Sequence, residues 1–242
     1  MKILLIRHGD PDYEKDSLTE KGWHEAELLA QRMAELEIQS FYVSPLGRAK
    51  DTASCTLKKM GREAEELAWL REFHAPIPDF HTGEPRIPWD QLPADWTAEP
   101  KYYDNISWAE TLTMLEGHVI DEANRVWNGL DEVLAKHGYV RNGNYYAAVS
   151  PNEDTLAFFC HFGVTCVMLS HLLGISPMIL WHGFCAAPTS VTSLITEERR
   201  KGVALFRMNA FGDTAHLFAN HEEPAFAARF CETFANQEQR HD

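Results

Sequence analysis

Four apolar residues in a row, Ile3-Leu4-Leu5-Ile6, stop abruptly at Arg7-His8-Gly9. A run with no polar alternation describes a strand buried on both faces, and such a strand needs helices on either side of its sheet. The sequence supplies them. Behind Thr19, apolar residues including Trp23, Ala26, Leu29 and Met33 recur near the 3.6-residue helical period. Residues 41–43 read as a second strand, 46–60 as a helix closed by Gly61, and 67–70 as a third strand. Further on, 156–160 predicts another buried strand, followed by a helix over 164–173 and strands near 190–195 and 203–209. Strands alternating with helices imply an α/β fold with a mostly parallel central sheet covered on both faces.

Residues 73–106 interrupt that rhythm. Pro76, Pro78, Pro85, Pro88, Pro93 and Pro100 forbid a long helix or a central strand. Trp89, Trp96, Tyr102 and Tyr103 lie among them and argue against a disordered linker. The stretch reads as an ordered excursion packed against the core, a candidate lid, from a single domain spanning residues 1–242. Ser107 and Glu110 have capping-box spacing and predict a long helix running to Gly138. Asn142-Gly143 then predicts a hairpin.

The charge balance narrows the partners. With 22 basic against 36 acidic residues, the formal charge is −14. That disfavours nucleic acid or an anionic membrane, which need a basic footprint. A small anionic substrate needs only a few clustered arginines. Five scattered cysteines without CxxC spacing read as free thiols. The first apolar run is too short for a signal peptide, so a cytoplasmic protein is expected, with a homodimer as an allowed assembly.

Chemistry concentrates where strands end, because ligands of an open α/β sheet bind there. His8 follows the first strand and His161 follows the strand at 156–160. If these strands are parallel neighbours, both imidazoles emerge at one sheet edge. Arg7 and Arg48 can join them, and two guanidinium forks match phosphate oxygens. His118 and Glu122, four apart on a helix, read as a solvated pair rather than metal ligands.

Arg7-His8-Gly9, Ser44-Pro45-Leu46-Gly47-Arg48-Ala49 and Cys160-His161-Phe162-Gly163-Val164 resemble, in order, the motifs of the histidine phosphatase superfamily, the phosphoglycerate mutase-like proteins. Leu18-Thr19-Glu20-Lys21-Gly22 is similar to that family's usual start of the first helix. The resemblance implies a three-layer α/β/α sandwich, His8 as nucleophile, Arg7 and Arg48 as phosphate clamps, and His161 as the second pocket histidine. Glu72, in Leu70-Arg71-Glu72, is similar to the family's general acid; Asp79 and Glu84 are weaker competitors. No metal and no cofactor is implied.

The expected reaction is hydrolysis of a small phosphate monoester through a phosphohistidine on His8, with protonated His161 helping to stabilise the developing charge. Mutase-type transfer is the enzymatic alternative. Glu14 stands where the mutase branch carries an asparagine, and a carboxylate there disfavours an adjacent phosphate. A silent phospho-ligand binder on the same scaffold is the non-enzymatic alternative. Either the excursion sets specificity, with Arg71 or Arg86 available for a second anionic group, or it is a cap that buries the sheet's edge.

Overall fold

The computed structural model describes residues 1–227 and 229–241. Eight strands form one sheet: β1 (Lys2–Arg7), β2 (Ser40–Val43), β3 (Glu65–Glu66), β4 (Tyr139–Asn142), β5 (Tyr145–Ala148), β6 (Thr155–Cys160), β7 (Val191–Arg200) and β8 (Val203–Asp213). Their spatial order is β3-β2-β6-β1-β7-β8-β5-β4. From β3 to β1 the pairings are parallel; from β1 to β4 they are antiparallel. The sheet is therefore mixed, and the expected parallel character belongs to the half that carries the site. The antiparallel half follows from short connections: Gly143-Asn144 and Lys201-Gly202 join consecutive strands as hairpins, which parallel pairs cannot be.

The opening run behaves as its composition requires. Ile3 and Leu5 face one hydrophobic cluster, with Phe158, Val126 and Trp181, while Leu4 and Ile6 face the other, with Leu29, Met33 and Phe159. That alternation is the two-residue period of a strand buried on both sides. The covering helices are α1 (Glu20–Ala34), α2 (Gly47–Met60), α3 (Val119–Lys136), α4 (Phe162–Leu173) and α5 (Pro177–Gly183). Thr19 caps α1 by accepting from the Gly22 amide, and Gly61 ends α2 at φ 64°.

Two expectations need correcting. The strand expected at 67–70 is a 3-10 turn at Ala68–Leu70; the strand pairing occurs at Glu65–Glu66, and the Leu67 amide makes the last bond to Val43 before the chain leaves the sheet. The long helix expected from Ser107 begins only at Val119. Ser107 donates its hydroxyl to Asp104 instead of capping a helix. The break falls at Gly117-His118: a Cβ on Gly117 would stand 2.8 Å from the Pro76 carbonyl oxygen, and His118 has φ 50°. Close packing of the excursion against that turn overrides the helical pattern. Finally, α5 had no periodic signal in its seven residues.

The excursion is ordered. Ile77–Pro78 and Pro85–Arg86 pair as a two-stranded ribbon, and Phe73, Ile77 and Tyr102 are buried in the larger core cluster.

Candidate active site

Parallel pairing of β1 and β6 sets Arg7 opposite Cys160, so the residues that follow, His8 and His161, leave the sheet side by side. Their ring centroids are 5.1 Å apart. Both histidines are buried. The His8 amide donates to the Cys160 carbonyl and its own carbonyl accepts from Thr189, which fixes the backbone beneath the ring. His8 Nδ1 lies 2.7 Å from the Gly9 carbonyl oxygen. A carbonyl only accepts, so Nδ1 carries the proton and Nε2 keeps its lone pair. Burial, then the Arg7 and Arg48 charges, hold this imidazole well below the usual histidine range.

Arg7 is buried and donates to the Ala186 carbonyl at 2.6 Å. Arg48 comes from the first turn of α2 and pairs with Asp16 at 2.6 Å. Asp16 also accepts from the Gly47 amide, and it adopts φ 49° to do so. The approach is tight enough that a Cβ on Gly47 would stand 2.1 Å from the Asp16 carbonyl oxygen. Glycine is required there. Asp16 thus orients Arg48, while Glu14 is solvent-exposed and does not line the cleft. The carboxylate at position 14 therefore does not face a phosphate in the cleft, and Asp16, which the sequence did not single out, is the one that meets Arg48.

His161 donates to or accepts from the Ser44 hydroxyl through Nε2 at 2.7 Å. Burial, followed by His8 and the two arginines, pushes its pKa well down. The protonated His161 expected from sequence is therefore disfavoured before an anion enters. Three buried nitrogens, Arg7 Nε, Arg48 Nε and His161 Nδ1, have no hydrogen-bond partner among the described residues. Buried donors demand acceptors, and a phosphate would bring several.

Glu72 lines the same cleft. Its Oε1 accepts from the Phe73 and Val164 amides, at 2.7 and 3.0 Å, and its Oε2 accepts from Gly163 at 3.2 Å. The carboxylate thereby satisfies the first amides of α4, whose N-cap residue, His161, makes no side-chain cap. A Cβ on Gly163 would stand 2.8 Å from Glu72 Oε1, so the contact needs glycine. The three amides and Arg7 favour the ionised form, yet burial outweighs them and raises the pKa above 4.5.

The other sequence candidates lie elsewhere. Arg71 pairs with Glu122, which is also held by Arg125. Glu122 is thus a partner of arginines rather than of His118. Asp79 organises the ribbon's turn and pairs with Arg86, and Glu84 is exposed. Missed by sequence were Asp16 and the roles of two motif residues: Ser44 as the partner of His161, and Thr52, which accepts from the Gly9 amide and donates to the Arg48 carbonyl. Also missed was the C-terminal segment, which supplies Phe230 and Arg240 to a cleft of about 780 Å³.

A mixed α/β sheet carrying two histidines and two arginines at its parallel strand ends defines a phosphoryl-handling class of protein. The family model "Histidine phosphatase superfamily (branch 1)" matches residues 3–209, and the chain belongs to that family. A probable phosphatase of Schizosaccharomyces pombe is 24% identical over 233 residues, covering 90% of this chain and 95% of that protein. A probable phosphoglycerate mutase of Photorhabdus laumondii is 36% identical over 83 residues, or 31% of this chain. The chain spans 39% of that relative's length and 57% of a Serratia proteamaculans protein similarly named. Among solved structures, a mutant phosphoserine phosphatase from Entamoeba histolytica in complex with phosphoserine superposes with a TM-score of 0.58 at 20% identity, covering 89% of this chain and 98% of that one. A mycobacterial glucosyl-3-phosphoglycerate phosphatase gives 0.57 at 19% identity, covering 87% and 98%. These two likenesses establish the fold.

Proposed function

We propose that the chain is a phosphatase that hydrolyses a small phosphate monoester through a phosphohistidine on His8 Nε2. The observation that carries this reading is the neutral, Nδ1-protonated His8 set beside Arg7, Arg48 and His161, whose unpartnered nitrogens suit phosphate oxygens. In the first step the Nε2 lone pair bonds to phosphorus and the ester P–O bond breaks. Glu72, protonated at Oε2, which holds a single amide, passes its proton to the departing oxygen. In the second step water attacks the phosphohistidine, Glu72 takes the water's proton, and the P–N bond electrons return to Nε2.

The two guanidinium groups neutralise charge on the equatorial oxygens throughout. A bound dianion also offsets the low pKa of His161, so that its Nδ1–H can donate once the Ser44 hydroxyl occupies Nε2. Uncatalysed monoester hydrolysis is slow enough that such an enzyme must lower its barrier by about 20 kcal/mol or more. Arg7, His8 and His161 are buried and Arg48 is 12% exposed, so the electrostatic contacts of the site are little screened by water.

The test compares wild type with His8→Ala on an aryl phosphate and looks for an acid-labile phosphoprotein after quenching. Loss of roughly a thousandfold or more in kcat, with the label absent from the variant, is expected. Equal background rates in both would leave a phospho-ligand binder. Turnover of 3-phosphoglycerate to 2-phosphoglycerate, with bisphosphoglycerate present, outpacing phosphate release would make the protein a mutase.

A further inference from the structure

The family match ends at residue 209, yet one wall of the cleft is built from Ala227, Arg229, Phe230, Cys231, Arg240 and His241. That wall is held at both ends. At its base Glu25 accepts from the Ala225 amide at 2.8 Å, and Lys21 reaches Glu222 and the Glu223 carbonyl. At its tip Arg240 pairs with Asp90 of the excursion at 3.0 Å, and the Cys231 amide bonds back to the Arg240 carbonyl. The C-terminal segment therefore spans from α1 to the excursion and closes the cleft between them.

What it closes is apolar. Tyr13, Leu92, Phe184 and Phe230 are between 38% and 68% exposed, and all four line the cleft. Trp89 and Trp181, 5.9 Å apart, form its floor beside Glu72. The charged groups of this outer region are engaged: Arg86 with Asp79, Arg240 with Asp90, and Arg229 over the Phe226 ring at 4.5 Å. A large apolar surface gathered in one concavity asks for an apolar occupant.

The geometry points to a monoester with a bulky, flat, apolar leaving group as the substrate class, selected by the aromatic outer cleft with Phe230 of the C-terminal wall as a specificity-determining residue. The assignment rests on the phosphatase reading for its inner half, where the phosphate is held. The wall itself comes from residues beyond the family match, so the preference is a property of this chain.

The full-length protein is assayed on 1-naphthyl phosphate and glycerol 3-phosphate, in wild type and Phe230→Ala. Phe230 is 41% exposed, so its truncation leaves the fold intact, which a thermal melt verifies. Wild type should favour the naphthyl ester by about tenfold or more in kcat/KM, and Phe230→Ala should cut that ratio by roughly fivefold, the loss expected for one partly buried ring. A wild-type preference for glycerol 3-phosphate, or a ratio unchanged in the variant, overturns the assignment. Calorimetry with 1-naphthyl phosphate against inorganic phosphate separates the two readings. Tighter naphthyl binding that weakens in the variant, without turnover of either ester, sinks the phosphatase and keeps the apolar class. Turnover with no naphthyl preference does the reverse.

Discussion

The inner and outer halves of the cleft are built by different physics. In the inner half Arg7 ends a buried strand, His8 and His161 follow buried strands, Arg48 opens a helix packed against the sheet, and Glu72 caps another. His8, Arg7 and Glu72 are each tied to backbone groups, by Gly9, Ala186 and the first amides of α4. The outer half hangs from proline-rich turns and a terminal segment, held by ion pairs such as Arg240–Asp90, in which the arginine side chain is 48% exposed. Bonds to buried backbone position a group to within tenths of an ångström, as attack on phosphorus requires. Exposed ion pairs are weak and screened, which suits a surface that adapts to a leaving group.

The contrast is sharpest at Glu72. Glu72→Gln keeps an oxygen for the Phe73 and Val164 amides but cannot deliver a proton. A loss of about a hundred- to a thousandfold in kcat is expected on an alkyl phosphate. The loss should be much smaller on a nitrophenyl ester, whose leaving group needs no proton. An equal loss on both esters would mean that Glu72 only caps α4. Because burial depresses His8, the acid limb of kcat/KM should lie below pH 6.5, and because burial raises Glu72, the alkaline limb should lie above 4.5.

Glu25 joins the two halves. It is fully buried on α1, and burial, opposed by the Ala225 amide and Lys21, raises its pKa from 4.5 to about 7. The folded state then binds the proton more tightly than the unfolded one, so stability is greatest below pH 4.5 and is lost as pH climbs towards 7. At about 1.4 kcal/mol per pH unit this loss is roughly 3 kcal/mol. Glu25→Gln, which can still accept from Ala225, should remove this slope and melt several degrees higher than wild type at pH 8. A wild-type slope that persists in the variant would assign the titration to another group.

The smallest effect belongs to the tip of the wall. Arg240→Gln should change unfolding free energy by less than about 1 kcal/mol. It should shift the naphthyl-to-glycerol ratio rather than the rate on nitrophenyl phosphate. A collapse of activity on every ester would show that the wall is part of the rigid machinery after all.

Much of the inner half was readable from the chain. The unbroken run 3–6 demanded a central strand, and a strand buried on both faces can expose its chemistry only at its ends. Arg7, His8 and His161 stood at such ends, and Arg48 opened the helix after β2. Glu72 was findable only through its neighbours Leu70 and Arg71, because nothing in local pattern says that a glutamate will cap a helix ninety positions away. Asp16 was hidden for a related reason. Several carboxylates crowd residues 10–16, and the left-handed turn that selects one of them exists only once Gly47 packs against it. The break at Gly117-His118 had the same origin, a periodic pattern overruled by a neighbour distant in sequence.

By itself the sequence determined which strands are central, which side chains stand at their ends and that those side chains suit phosphate, because hydrophobic period and residue chemistry are local properties. Tertiary structure alone decided which carboxylate orients Arg48, that Glu72 caps α4, and that Phe230 and Arg240 return to wall the cleft. Each of these depends on contacts between segments far apart in the chain, and such contacts leave no periodic trace in it.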